Sequence, residues 1–132
     1  MKTREIPKNE WPKFFDNFSS KHKGWEVTLE ILGAEFGAQV QERELALAGI
    51  VDEWDEIHGN RIVIMLGEKP DDHITHTVSQ PAQVSLEQTD GDATVALAIK
   101  SADGVMVLLR FLSPVLPEML DSLVGQQTRP HL

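Results

Sequence analysis

Histidine is the side chain in this sequence with the most chemistry to offer. The chain has five histidines and no cysteine, which leaves imidazole and carboxylate as its means of holding a metal or moving a proton. The run Asp71-Asp72-His73-Ile74-Thr75-His76 puts three ligand-type residues together, with His76 a short step on. On an extended strand that odd spacing sends His73 and His76 to opposite faces, so they share a metal only across a bulge or turn. His58 sits fifteen residues before His73, in a stretch that reads as loop. Two of these histidines with Asp71 or Asp72 would make an open site suited to Zn, Mn or Fe. No helical H-E-x-x-H and no closed zinc spacing is present, and surface or half-buried histidines are the expectation.

Other chemistries find less to work with. Asp52-Glu53-Trp54-Asp55-Glu56 clusters oxygen ligands of the kind Ca and Mg take, but without the spacing of a calcium loop, and it reads as a solvated charge run. Trp54, flanked by those carboxylates, is expected to tuck under a sheet; the alternative is an exposed contact residue. There is no Gly-x-Ser-x-Gly and no glycine-rich phosphate loop, and carboxylate pairs such as Glu42 and Glu44 are too common on an acidic surface to nominate an acid and a base. No catalytic residue, metal ligand or cofactor is assigned on this basis.

Charge narrows the partners. Twelve basic against 21 acidic residues give a net charge of −9, unevenly spread: residues 1–24 carry +3 and residues 25–132 carry −12. An acidic body repels phosphate backbones, so nucleic acid is not an expected partner. Lys21, His22 and Lys23 read as complements to the negative end of a helix dipole. No apolar run exceeds five residues (105–109 is one), against the ~20 of a membrane helix. The first five residues carry charge with no apolar stretch behind them, so neither a leader nor a membrane partner is expected.

These residues need a scaffold, and the hydrophobic period outlines one. Trp11, Phe14, Phe15 and Phe18 recur at i, i+3, i+4 and i+7, the stripe of a helix, capped by Asn9 or by Trp11 with Pro12 following, and stopped by Gly24. Four aromatics on a stripe are expected to be core, not a stacking platform. Beyond Gly24 the period becomes two: Trp25, Val27, Leu29 and Ile31 alternate with polar residues. A turn over 33–37 leads to a solvated or edge strand over 38–47, and residues 48–60 read as loop. Strands follow over 61–66, 74–78, 84–86, 95–99 and 105–111, with hairpin turns at Thr89-Asp90-Gly91-Asp92 and Ser101-Ala102-Asp103-Gly104. Pro114 and Pro117 are expected to end the last strand, residues 118–124 to form a helical turn, and residues 126–132 a disordered tail.

Arg4-Glu5-Ile6-Pro7, Glu10-Trp11-Pro12, Phe14-Phe15-Asp16, Gly24-Trp25 and Val27-Thr28-Leu29-Glu30 resemble the opening of a family of small uncharacterised bacterial proteins. His73-Ile74-Thr75-His76-Thr77, Leu109-Arg110-Phe111 and Ser113-Pro114 resemble its later blocks. The resemblance implies a bacterial, single-domain, stand-alone protein of unknown function, and carries over no functional residue.

The expected fold is a β-rich α+β domain over residues 1–125: an N-terminal amphipathic helix packed on a six- to seven-stranded antiparallel sheet or small barrel. The expected role is a non-enzymatic cytoplasmic interaction or accessory module that self-associates, most simply as a dimer. Its ground is that residues 61–66 and 105–111 are apolar on both faces, whereas one helix covers one face. The rival is a small-ligand-binding or metal-dependent enzyme using His73 and His76.

Overall fold

Trp11, Phe15 and Phe18 form the buried stripe their spacing predicts, with Phe14 half-buried at its flank. They belong to helix α1 (Trp11–His22) of a computed structural model that describes residues 1–33 and 37–115. Neither expected cap is used: Glu10 is the N-cap residue, without a side-chain cap bond, because a 3-10 turn (Lys8–Glu10) feeds directly into the helix. Beyond the helix, Gly24 takes φ 89°, and its N–H reaches the Leu47 carbonyl at 2.8 Å.

Among the described residues all other regular structure is antiparallel β: β1 (Lys2–Ile6), β2 (Glu26–Gly33), β3 (Gly37–Asp55), β4 (Gly59–Leu66), β5 (Ile74–Ser79), β6 (Pro81–Gln88), β7 (Thr94–Ser101) and β8 (Met106–Val115). They make one open eight-stranded sheet in the order β1-β6-β7-β8-β2-β3-β4-β5. The α+β class and the antiparallel sheet are as expected; the strand count and the barrel are corrected. The eighth strand is β1, a segment with only Ile6 buried and so no alternation to read. The sheet does not close into a barrel, since β1 and β5 remain its edges.

The stretch read as a solvated or edge strand and then a loop is one continuous strand, and an interior one. Residues 37–46 of β3 pair with β2 and residues 47–55 pair with β4, so the strand carries the chain round a corner of the sheet. Two irregularities produce the bend: Glu44 lies in the left-handed region at φ 54°, and the register slips between Leu47 and Gly49. At the corner β3 leaves β2, and α1 takes over that edge. The Ser19 hydroxyl accepts the Ile50 N–H at 2.8 Å and donates to the Ile50 carbonyl at 3.0 Å, supplying both bonds a neighbouring strand would make.

The bend brings β4 and β5 over β6 and β7. One core results, with α1 against Val27, Leu29, Leu47, Ile62, Ile64, Leu97 and Leu109. Trp11 closes its N-terminal end by donating its indole N–H to the Ile6 carbonyl at 2.9 Å. The outward face differs along the sheet. On β7 and β8, Ala96, Ala98 and Leu108 form a second buried cluster with Leu32, Val95 and Met106 against it. On β4, Val63 and Met65 are half-buried, and across from Val63 on β3 Val51 is exposed.

Pro114 does not end the last strand. The register of β8 against β7 jumps from Arg110 opposite Ala96 to Val115 opposite Thr94, and this irregularity accommodates a residue without an N–H. Both hairpins form where expected, Gly104 at φ 92° and Asp92 at φ 69° turning the chain. The readings of Pro117, of a helical turn over 118–124 and of a tail over 126–132 lie outside the described residues. Among the described residues no helix is long and apolar enough to cross a membrane.

Candidate ligand-binding cleft

The helical repeat that buries Phe15 also places Phe14, Asn17, Phe18, Lys21 and His22 at i, i+3, i+4, i+7 and i+8, a second stripe on the same helix. That stripe faces the β1–β6 edge of the sheet. Arg4 of β1 lies opposite Leu86 of β6, and Gln88 follows two residues on, so the three share a face. Asp92 and Thr94 reach in from the β6–β7 turn and the start of β7. Between helix and sheet lies a half-open cleft of about 310 Å³.

His22 gives the cleft its chemistry. The residue is 4% exposed, packed against the rings of Phe18 at 4.2 Å and Phe111 at 5.1 Å, which also meet each other at 6.0 Å. Burial lowers its pKa from 6.5 to about 4, with Lys21 adding to the effect and the hydrogen bond to the Phe18 carbonyl opposing it. The imidazole is therefore neutral at pH 7. Its Nδ1 lies 2.9 Å from the Phe18 carbonyl, which can only accept, so Nδ1 carries the proton and Nε2 keeps the lone pair. That Nε2 is buried without a hydrogen-bond partner.

The rim is basic on an otherwise acidic chain. Arg4 and Lys21 are exposed, and neither makes a salt bridge with a described residue. Asp92, the carboxylate that lines the cleft, is paired with Lys2, and nearby Asp90 with the N-terminal amine. Phe14 and Phe18, 5.5 Å apart and tilted by 30°, add an apolar wall. An anion is favoured by such a rim and a planar apolar body by the wall.

The residues singled out in the sequence are not brought together. His58 lies in the exposed β3–β4 turn, its Nδ1 3.2 Å from Asp55. His73 is exposed ahead of β5 with the Thr75 hydroxyl at 3.5 Å, while His76 pairs with Ile64 on the inward face. Burial lowers the His76 pKa. Asp71 is exposed, and Asp72 accepts the Lys69 N–H at 2.9 Å and so belongs to its own turn. Among the described residues no group of three His, Asp or Glu could hold a metal ion.

The acidic run is strand, not loop, and its charges are in use. Arg61 bridges Glu53 at 3.3 Å and Asp55 at 3.1 Å, and Asp55 also accepts the N–H groups of Ile57 and His58. Burial raises the Asp52 pKa, against the opposing pulls of Asn60 and Lys8. Trp54 does not tuck under the sheet: it is 68% exposed, because β3 and β4 run on past the core as a hairpin, and Ile57 at its tip is 87% exposed.

His22 was missed as a site residue, read only as a charge at a helix end. The signal that finds it is spacing: it lies four residues beyond Phe18, on the aromatic stripe. Arg4 carries no such signal, since only the pairing of β1 with β6 brings it to the cleft.

Comparison with known proteins supplies relatives but no chemistry. A family model described as a family of unknown function (DUF5335) matches residues 2–119. An "Uncharacterized protein" of the bacterium Aquifex aeolicus (strain VF5) is 31% identical over 118 residues, covering 89% of this chain and 97% of that protein. No solved structure matches the chain.

Proposed function

Since the chain belongs to the DUF5335 family, whose function is unknown, we propose its role from the cleft: it is a recognition module that binds a small ligand between α1 and the β1–β6 edge. The observation that carries this reading is the half-open cleft of about 310 Å³ itself, whose exposed Arg4 and Lys21 make no salt bridge with a described residue. The volume sits at the small end of ligand pockets. Binding is favoured over catalysis because the lining holds no Ser, Cys or Glu, and its one carboxylate is held by Lys2. An NMR titration with phenol, benzoate and benzylamine tests it. Shifts confined to α1, β1 and the β6–β7 turn are expected for at least one probe; no shift there with any of the three overturns the reading.

Self-association is a second reading, supported by the β3–β4 hairpin, on which Trp54 and Ile57 are exposed. The occupant is a second copy: the hairpin is acidic, and residues 1–24 of another chain carry +3. Native mass spectrometry is expected to show a multiple of 14.8 kDa that Trp54→Asp abolishes, and a strictly monomeric wild type ends this reading. A cytoplasmic location completes the proposal, supported by a cysteine-free sequence of net charge −9.

A further inference from the structure

Resting on the cleft reading above, we propose that the ligand is a small aromatic oxyanion. Its negative group is recognised by Arg4 and Lys21 and its ring by Phe14. Charge and exposure converge on this class. The chain carries −9, yet at this cleft the two exposed cations make no salt bridge with a described residue, while the carboxylates of Asp90 and Asp92 are already neutralised by the N-terminal amine and Lys2. A positive opening in an acidic protein concentrates anions and turns cations away. Phe14, half-buried at the cleft, offers ring surface to a flat body, while Phe18, 5.5 Å away, is buried.

The shared chemistry at the charged end is an oxyanion, and carboxylate and phosphate sources are separated by experiment. Calorimetric titration of the full chain with 4-hydroxybenzoate, benzoate, 4-hydroxybenzyl alcohol and phenyl phosphate reads each element in turn. Expected is 4-hydroxybenzoate at least about tenfold tighter than the neutral alcohol, as charge-assisted hydrogen bonds imply, with an affinity that falls as salt rises. Stronger binding of phenyl phosphate than of benzoate assigns a phosphate, the reverse a carboxylate. Arg4→Gln and Lys21→Gln, both on exposed side chains, should each weaken the anions several-fold and leave the neutral alcohol unchanged. If the neutral alcohol binds as tightly as the anions and the charge variants change nothing, the oxyanion assignment is overturned while the cleft stands. If no probe binds, both fall together.

Discussion

Replacing His22 with phenylalanine turns the acid sensitivity of this fold into a measurement. The imidazole titrates at 6.5 in the unfolded chain and at about 4 in the folded one. Between those values the unfolded chain binds more protons than the folded chain, so stability falls as pH drops through 6.5 and levels off below about 4. The full gap corresponds to about 3 kcal/mol, of which about 1.5 is lost by about pH 5.5 and about 2.5 by about pH 4.5. Phenylalanine keeps a ring against Phe18 and Phe111 and has nothing to protonate. At about pH 7.5 the variant should lie within about 1.5 kcal/mol of wild type. Urea unfolding of both proteins across this range, followed by tryptophan emission, gives their difference directly. His76, whose lowered pKa acts in the same direction, and Asp52, whose raised pKa acts in the opposite one, are common to both proteins and cancel. The difference should move by about 2.5 kcal/mol in favour of the variant between about pH 7.5 and about pH 4.5. A flat difference, or an NMR titration of His22 near 6.5, refutes the buried neutral imidazole.

Three further tests address the frame around that site. Ser19→Ala leaves the Ile50 N–H without its partner at the bend of β3, and should cost about 1–3 kcal/mol in urea unfolding, while Ser20→Ala on the exposed side should stay within about 0.5. Gly67 and Gly104 both have positive φ, but a Cβ at Gly67 would lie 2.3 Å from the Asp72 carbonyl oxygen, whereas at Gly104 it meets open space. Gly104→Ala should therefore cost about 1–2 kcal/mol and Gly67→Ala distinctly more, and equal losses would place Asp72 elsewhere. Trp54→Phe should remove the red-shifted, quencher-accessible part of the emission and change stability by no more than about 0.5 kcal/mol, since Trp11 and Trp25 are the buried indoles.

The elements legible in the sequence were those whose side chains sort by burial. The aromatic stripe of α1, the alternation of Val27 and Leu29, and the turn around Asp90 and Gly91 each announce an element through local periodicity or turn chemistry. Residues 2–6 and 48–55 were not legible as strands for the opposite reason. They are held in the sheet by backbone bonds to β6 and β4, while many of their side chains, Lys2, Arg4, Glu53 and Trp54 among them, stay in solvent. A hydrophobic pattern cannot report pairing that hydrophobic residues do not drive.

The candidate site divides the same way. By itself the sequence determined the class of the fold, the helix that bears the aromatic stripe, and an acidic body with half of the basic residues gathered in the first 24 positions. It also carried a histidine four residues beyond Phe18, whose meaning depends on what lies opposite. Only the tertiary structure decided that β1 returns to pair with β6, which brings Arg4 level with Leu86 and sets it across from Lys21 and His22. It likewise decided that Phe18 and Phe111, 93 positions apart in the chain, close on the imidazole and exclude the water that would let it titrate normally. Periodicity is a local property, and a pKa or a cleft is set by what the chain packs against from a distance.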